Sequence, residues 1–198
     1  MPLKKTEAIV SIYKAHDLYF LVAISPSTGK ILKITLPQSD KTLSIMEVAQ
    51  SYPNYKLSPE YEDIAREVSK LYSGDDADLV LDQLELNPDK EESPIKTLFM
   101  RNVLQETYKI PKGNVETYKS LAKKVDSHAY RAVGTVMAKN PFPLIIPCHR
   151  VVKSDYSVGN YGGGSEMKKE LLIREGVKLE GNKIIKNWKK NRRTSKKK

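Results

Sequence analysis

Three apolar, β-prone runs crowd the first 36 positions, and they restrict the possible folds more than any other feature of the chain. Residues 7–13 (EAIVSIY), 18–24 (LYFLVAI) and 31–36 (ILKITL) read as an antiparallel hairpin or meander, with Gly29 supplying the turn in Ser25-Pro-Ser-Thr-Gly-Lys30. Ser58-Pro59 then starts a helix, since Ser is a good N-cap and Pro suits the first helical position. Tyr61, Ile64, Ala65, Val68, Leu71 and Tyr72 recur at helical spacing, and Gly74 offers a stop. Residues 75–92 hold eight acids and one lysine around Leu79-Val-Leu81, Leu84 and Leu86; they read as a linker with a short strand, and as the domain boundary.

Ser93-Pro94 repeats the cap signature, and Ile95, Leu98, Phe99 and Val103 form the stripe of a second helix that Pro111-Lys-Gly113 ends. Two short helical patterns follow, 117–125 and 127–139, separated by a tight turn at Asp126; the pair has the dimensions of a helix-turn-helix, which packed helical hairpins share. Pro141-Phe-Pro143 predicts extended chain leading into Pro147-Cys-His-Arg150. A Gly-rich loop (159–164), a helix from 165 to about 175 stopped by Gly176, and a closing hairpin around Gly181-Asn182 complete the pattern.

A length of 198 residues suits one large domain or two small ones, and 39% apolar with 29% charged residues permits a buried core. No stretch approaches 18 consecutive apolar residues, and MPLKKTEAIV lacks a signal-peptide apolar region, so neither a membrane span nor an exported precursor is expected. One cysteine, Cys148, excludes an internal disulfide and a Cys-cluster zinc site; with only His16, His128 and His149 beside it, no metal or cofactor is expected. The expected setting is intracellular. Net charge is +10, yet residues 181–198 carry nine Lys/Arg and no acid, leaving 25 basic against 24 acidic residues elsewhere. Such a block fits a solubilising tail, a nucleic-acid tether or a nuclear-import signal.

Cys148 lies between Pro147 and the pair His149-Arg150. A lone cysteine is ordinarily a small buried hydrophobe. Here an adjacent imidazole and guanidinium are the neighbours that raise the thiolate fraction of a group with an unperturbed pKa of about 8.5. The dipeptide is short, and its spacing is wrong for a papain-like hydrolase.

The string Asn140-Pro-Phe-Pro-Leu-Ile-Ile-Pro-Cys-His-Arg-Val-Val152 closely resembles the active-site signature of the O6-alkylguanine-DNA alkyltransferases. The resemblance continues in Ala129-Tyr-Arg-Ala-Val-Gly134, Gly113-Asn-Val-Glu-Thr-Tyr118, Gly159-Asn-Tyr-Gly-Gly163 and Leu171-Leu-Ile-Arg-Glu-Gly176, in matching order and spacing. It covers about residues 93–180. Over 1–90 only the strand–strand–helix layout is similar, and the Lys-rich end is not a family feature.

The resemblance implies an α+β protein. Residues 1–90 would form a small antiparallel sheet with a helix, its acidic linker starting near 75. Residues 91–185 would form a mainly helical, winged-helix-like helix-turn-helix catalytic domain; 186–198, by its charge composition and not by the resemblance, is expected to be a disordered basic tail. It further implies a single-turnover DNA repair protein, a methylated-DNA–protein-cysteine methyltransferase, that moves an alkyl group from guanine O6 to Cys148. His149 would deprotonate the thiol through a water, Glu175 would orient His149, Tyr118 would protonate the purine near N3, and Asn140 would tie the preceding turn to the cysteine loop. The base must be flipped out of the stack. Arg131 would fill its place, with the small Ala129, Ala132 and Gly134 allowing close approach in the minor groove, and Thr117 and Arg150 adding DNA contacts. Tyr161, Met137, Gly162 and Val151 would line the alkylguanine pocket; many relatives have Ser at Gly162, a change that spares its backbone donor. The implied partner is double-stranded DNA, bound by a monomer without sequence readout, in the nucleus of a eukaryote or the cytoplasm of a prokaryote. Two alternatives are an alkyltransferase-like protein that flags lesions, which would typically have Trp at the cysteine position, and a regulator that senses alkylation through Cys148.

Overall fold

The computed structural model describes residues 7–185; the basic tail read at 186–198 lies outside the described residues. The three apolar runs form strands β1 (Glu7–Ala15), β2 (Leu18–Ile24) and β3 (Ile31–Ile34), paired antiparallel in the order expected. His16 and Asp17 take φ of 48° and 60°, the left-handed pair that a two-residue hairpin turn demands. The sheet is mixed rather than purely antiparallel, because an unforeseen helix α1 (Lys41–Ser51) returns the chain to β4 (Asn54–Leu57), which pairs parallel to β1.

Central β2 is apolar throughout because both its faces are covered. Leu21 and Ala23 pack with Val48 and Tyr52 around α1. Phe20, Val22 and Ile24 face the main core, together with Ala65 and Val68 of α2 (Glu62–Ser73). That helix starts later than Ser58-Pro59 suggests. Buried Ser11 donates to the Ser58 carbonyl (2.6 Å) and accepts from the Tyr61 N–H (3.0 Å), pulling 58–61 into a turn against the sheet. Gly74 ends α2 at φ 88°, as expected.

The acid-rich segment corrects two readings. It forms no strand, only a 3-10 turn (Leu81–Gln83) and a single bridge from Leu84 to Ile31, while Leu79, Leu84, Leu86 and Ile95 join the main core. Ser93 Oγ accepts from the Ile95 N–H instead of capping a helix. Helix α3 (Leu98–Tyr108) begins after Thr97, whose hydroxyl accepts from the Met100 N–H.

Helices α4 (Tyr118–Lys124) and α5 (Tyr130–Ala138) flank a turn in which Asp126 has φ 50°, and both pack on α3 through Val103, Leu104, Leu121, Val133 and Val136. Beyond α5 the chain does not extend. Asn140 Oδ1 accepts from the Phe142 N–H, Nδ2 donates to the Ile146 carbonyl, and Leu144 turns through φ 73°, so residues 140–146 curl into a buried loop. The edge of β3 anchors this loop, since the Ile34 N–H donates to the Pro141 carbonyl (2.8 Å). Strand β5 (Glu116–Thr117) pairs parallel with β6 (Val151–Val152), setting Tyr118 beside the segment that follows Cys148. Helix α6 (Gly164–Arg174) stops at Gly176 (φ 83°), and a short hairpin, β7 (Leu179–Glu180) with β8 (Lys183–Ile184), closes the described chain. No helix among the described residues is long and apolar enough to cross a membrane.

Candidate active site

Cys148 opens a 3-10 turn (Cys148–Arg150) at the end of the curled loop and is 6% exposed. Its Sγ accepts from Asn140 Nδ2 at 3.2 Å, so the amide that closes the loop also touches the sulfur. Two cavities share the Cys148 wall. One, about 550 Å³, is lined by Tyr118, Arg131, Gly134, Met137, Lys153 and Tyr161 among others. The second, about 920 Å³, lies between the Gly162-Gly163 loop and the sheet half, at Leu36 and Gln38.

Behind the sulfur lies a closed polar network. His149 Nε2 donates to Glu175 Oε1 (2.8 Å), while Arg150 donates to both Glu175 oxygens (2.9 and 2.7 Å) and to the Ile110 carbonyl (2.6 Å). Burial opposes ionisation of Glu175, but the hydrogen bonds from His149 and Arg150 outweigh it and hold the carboxyl down at about 2. An ionised carboxylate only accepts, so His149 carries its proton on Nε2 and keeps Nδ1 as its basic nitrogen. That Nδ1 is buried without a protein hydrogen-bond partner. Burial lowers the His149 pKa and raises that of Cys148, against the opposing pull of Asn140 and Lys168 on the thiol. The resting pair is neutral.

Arg150, expected to contact DNA, directs its guanidinium inward to Glu175 and the Ile110 carbonyl and is 13% exposed. Arg131 and Ala129 are exposed at the start of α5, Ala132 is half-buried, and a Cβ at Gly134 would meet nothing within 4 Å. Thr117 caps α4, its hydroxyl accepting from the Ser120 N–H (3.1 Å). Tyr118 is kept protonated by burial and by the nearby sulfur. The Tyr161 ring stands edge-on to His149 (6.4 Å, 82°), its buried hydroxyl without a protein partner and its pKa raised by burial. Met137 is buried, and Gly162 is exposed in the wall of both cavities. Val151, expected in the pocket, is buried and lines neither of these cavities, and its carbonyl already accepts a hydrogen bond.

Its donor is Lys168, which sequence reasoning missed. The side chain is 0% exposed; Nζ donates to Val151 O (2.6 Å) and Asn160 O (3.4 Å) and lies 5.9 Å from the Tyr118 ring centre. Desolvation brings its pKa down to about 8, against the attraction of Cys148. A signal was available: Lys168 shares a helix face with Leu171, Leu172 and Glu175.

Fold and site together define a protein with a buried thiol in the wall of two cavities and an imidazole–carboxylate pair behind it. Residues 98–177 match the family model described as the DNA-binding domain of 6-O-methylguanine DNA methyltransferase. Over 85 residues the chain is 46% identical to the methylated-DNA--protein-cysteine methyltransferase of Methanothermobacter thermautotrophicus, covering 43% of this chain and 48% of the relative. Over 68 residues it is 57% identical to the protein of that name from Pyrobaculum aerophilum, covering 34% and 45%. The chain thus matches about half the length of these curated relatives. In structure it resembles the O6-methylguanine-DNA methyltransferase of Pyrococcus kodakaraensis strain KOD1, with a TM-score of 0.65 and 27% identity over 86% of this chain and 99% of that one.

Proposed function

We propose that this protein repairs DNA by drawing an O6-alkylguanine out of the duplex and transferring its alkyl group irreversibly to Cys148, once per molecule. The observation that carries the reading is the placement of Sγ: it lines a 550 Å³ cavity and is backed by the His149–Glu175 pair. That volume suits a nucleobase with its substituent.

The sulfur attacks the alkyl carbon as the C–O6 bond breaks, and the electron pair passes to the purine. The thiol proton leaves toward His149 Nδ1 through a water, while Tyr118, held neutral, gives a proton to the purine near N3. Once the imidazolium proton has returned to the Tyr118 phenolate by way of water, the net change is an S–H and a C–O bond exchanged for an S–C and a purine N–H bond. Glu175 stays ionised and steadies the imidazolium as it forms. Asn140 and the Lys168 ammonium offset the developing charge on sulfur. Arg131 enters the vacated stack from the minor groove, with Ala129, Ala132, Gly134 and Thr117 along the backbone. Tyr161, Met137, Gly162 and Val151 hold the extruded base. In this reading α4 and α5 act as a helix-turn-helix within a catalytic unit spanning 91–185, and residues 1–90 form the companion unit of a monomer.

Incubating the protein with duplex DNA bearing O6-methylguanine tests this directly. One methyl per chain is expected on the Cys148 peptide by mass spectrometry, with Cys148→Ala binding DNA and gaining none. Turnover beyond one equivalent would overturn the single-use mechanism, and tight binding without any mass gain would leave a lesion-flagging protein.

A further inference from the structure

We propose that Lys153 grips a backbone phosphate next to the extruded nucleotide, as the second cation at the mouth of the base cavity. The inference rests on the reading above and adds a substrate contact to it. When a nucleotide rotates out of a duplex its base enters the protein, while its phosphodiesters stay at the rim. Two cations line the 550 Å³ cavity that Cys148 shares, Arg131 from α5 and Lys153 from the segment after β6. Arg131 is committed to the gap in the stack, which leaves the phosphates beside the flipped sugar without a partner on its own wall.

Lys153 is built for that place. It follows β6 directly, and its backbone is pinned from both sides: its N–H donates to Ser157 O (3.0 Å) and its carbonyl accepts from the Tyr156 N–H (2.9 Å). Its stem lies across Gly159, where an added Cβ would stand 3.4 Å from Cγ and 3.7 Å from Cε, so the ammonium follows the loop that walls the cavity. The residue is exposed, and no carboxylate pairs with it among the described residues. The nearest acid in the chain, Asp155, is occupied by the Ser157 N–H and hydroxyl and is drawn toward Lys183. Beneath the same glycine lies the Lys168 ammonium, whose proton Lys153 disfavours. Two like charges thus face one loop uncompensated. A phosphate at the rim relieves their repulsion.

The test measures binding of Cys148→Ala protein to lesion duplex across a salt series, in the Lys153, Lys153→Met and Lys153→Arg forms. One lost phosphate contact lowers the slope of log K against log salt by about 0.9, equivalent to about an eightfold loss at 0.1 M salt that closes near 1 M. Lys153→Met should show that change and Lys153→Arg should keep the original slope. In the Cys148 background, Lys153→Met should slow reaction with the lesion duplex by several-fold more than reaction with free O6-benzylguanine, which has no phosphate. Equal slopes for Lys153 and Lys153→Met, or equal slowing of both substrates, would overturn the inference. A wild-type protein that alkylates itself with neither substrate would instead overturn the proposed function.

Discussion

Replacing Glu175 by Gln removes one charge from the network that holds His149, and the structure sets the size of the effect. The carboxyl is nearly out of solvent, at 6% side-chain exposure, and its pKa falls from 4.5 to about 2 on folding. At about 1.4 kcal/mol per pKa unit, the ionised form contributes about 3 kcal/mol to stability at pH 7. A second route agrees: breaking a buried pair from one side costs about 3–5 kcal/mol, since Arg150 would keep the Ile110 carbonyl and at most one neutral amide oxygen in place of a carboxylate. The sign follows from proton counting. Between pH 4.5 and 2 the unfolded chain binds the extra proton, so the contribution is complete above 4.5 and fades as pH falls through 2. Urea unfolding of wild type and Glu175→Gln should therefore differ by about 3 kcal/mol at pH 7, with the gap narrowing steadily below pH 4.5. A difference under 1 kcal/mol at pH 7, or one that does not change with acidification, would refute the argument.

Three further outcomes are expected. Gly74→Ala must hold alanine at φ 88° with its Cβ 2.9 Å from Arg174 Cβ and 3.1 Å from the Arg174 carbonyl oxygen, and should cost about 2–4 kcal/mol in urea unfolding; a loss below 1 kcal/mol would contradict the packing of α2 on α6. Tyr161→Phe deletes a buried hydroxyl that has no protein partner, so stability should hold or rise by about 1 kcal/mol, and a fall of 2 would show that the hydroxyl is satisfied. The rate at which iodoacetamide modifies Cys148 should reach half its maximum at a higher pH than for a free thiol, because burial raises the thiol pKa, and a midpoint below that of a free thiol would be inconsistent with the buried sulfur.

What was legible in the sequence was local. The three strands, the stops at Gly74 and Gly176 and the turn at Asp126 depend on residues a few positions apart. The segment 41–57 escaped because it has little periodicity: α1 buries only Ser44 and Val48, and edge strand β4 buries nothing. Acid content made 75–92 look like a linker, although Leu79, Leu84 and Leu86 bury themselves while the carboxylates remain at the surface or its margin, Glu85 apart. Within the site, Cys148, His149 and Asn140 share one stretch of chain and could be read together. The pairing of Arg150 with Glu175 could not be read, because the two lie 25 positions apart and meet only when α6 folds back. Lys168 was passed over because lysine is so seldom fully buried that its place on the apolar face of α6 carried less weight than its charge.

On the proposed reading, these long-range contacts bear on how a single-use nucleophile survives until it meets its substrate. Burial pushes the Cys148 thiol up and His149 down, so both protonation equilibria favour the neutral pair at rest. A sulfur in that condition reacts slowly with small electrophiles arriving from solvent, which would be an advantage if, as proposed, one reaction consumes the molecule. The groups that favour the thiolate are already in place: the Asn140 amide at 3.2 Å, the Lys168 ammonium fixed on Val151, and Glu175 waiting behind the imidazole. Only the imidazolium must be created, and its stabilising carboxylate is ionised beforehand. On the proposed reading, the extruded purine fills the cavity and brings its alkyl carbon to the sulfur, so that thiol ionisation and carbon transfer share one barrier. Selectivity then follows from burial itself, with the strong nucleophile formed chiefly when the base that needs it is in place.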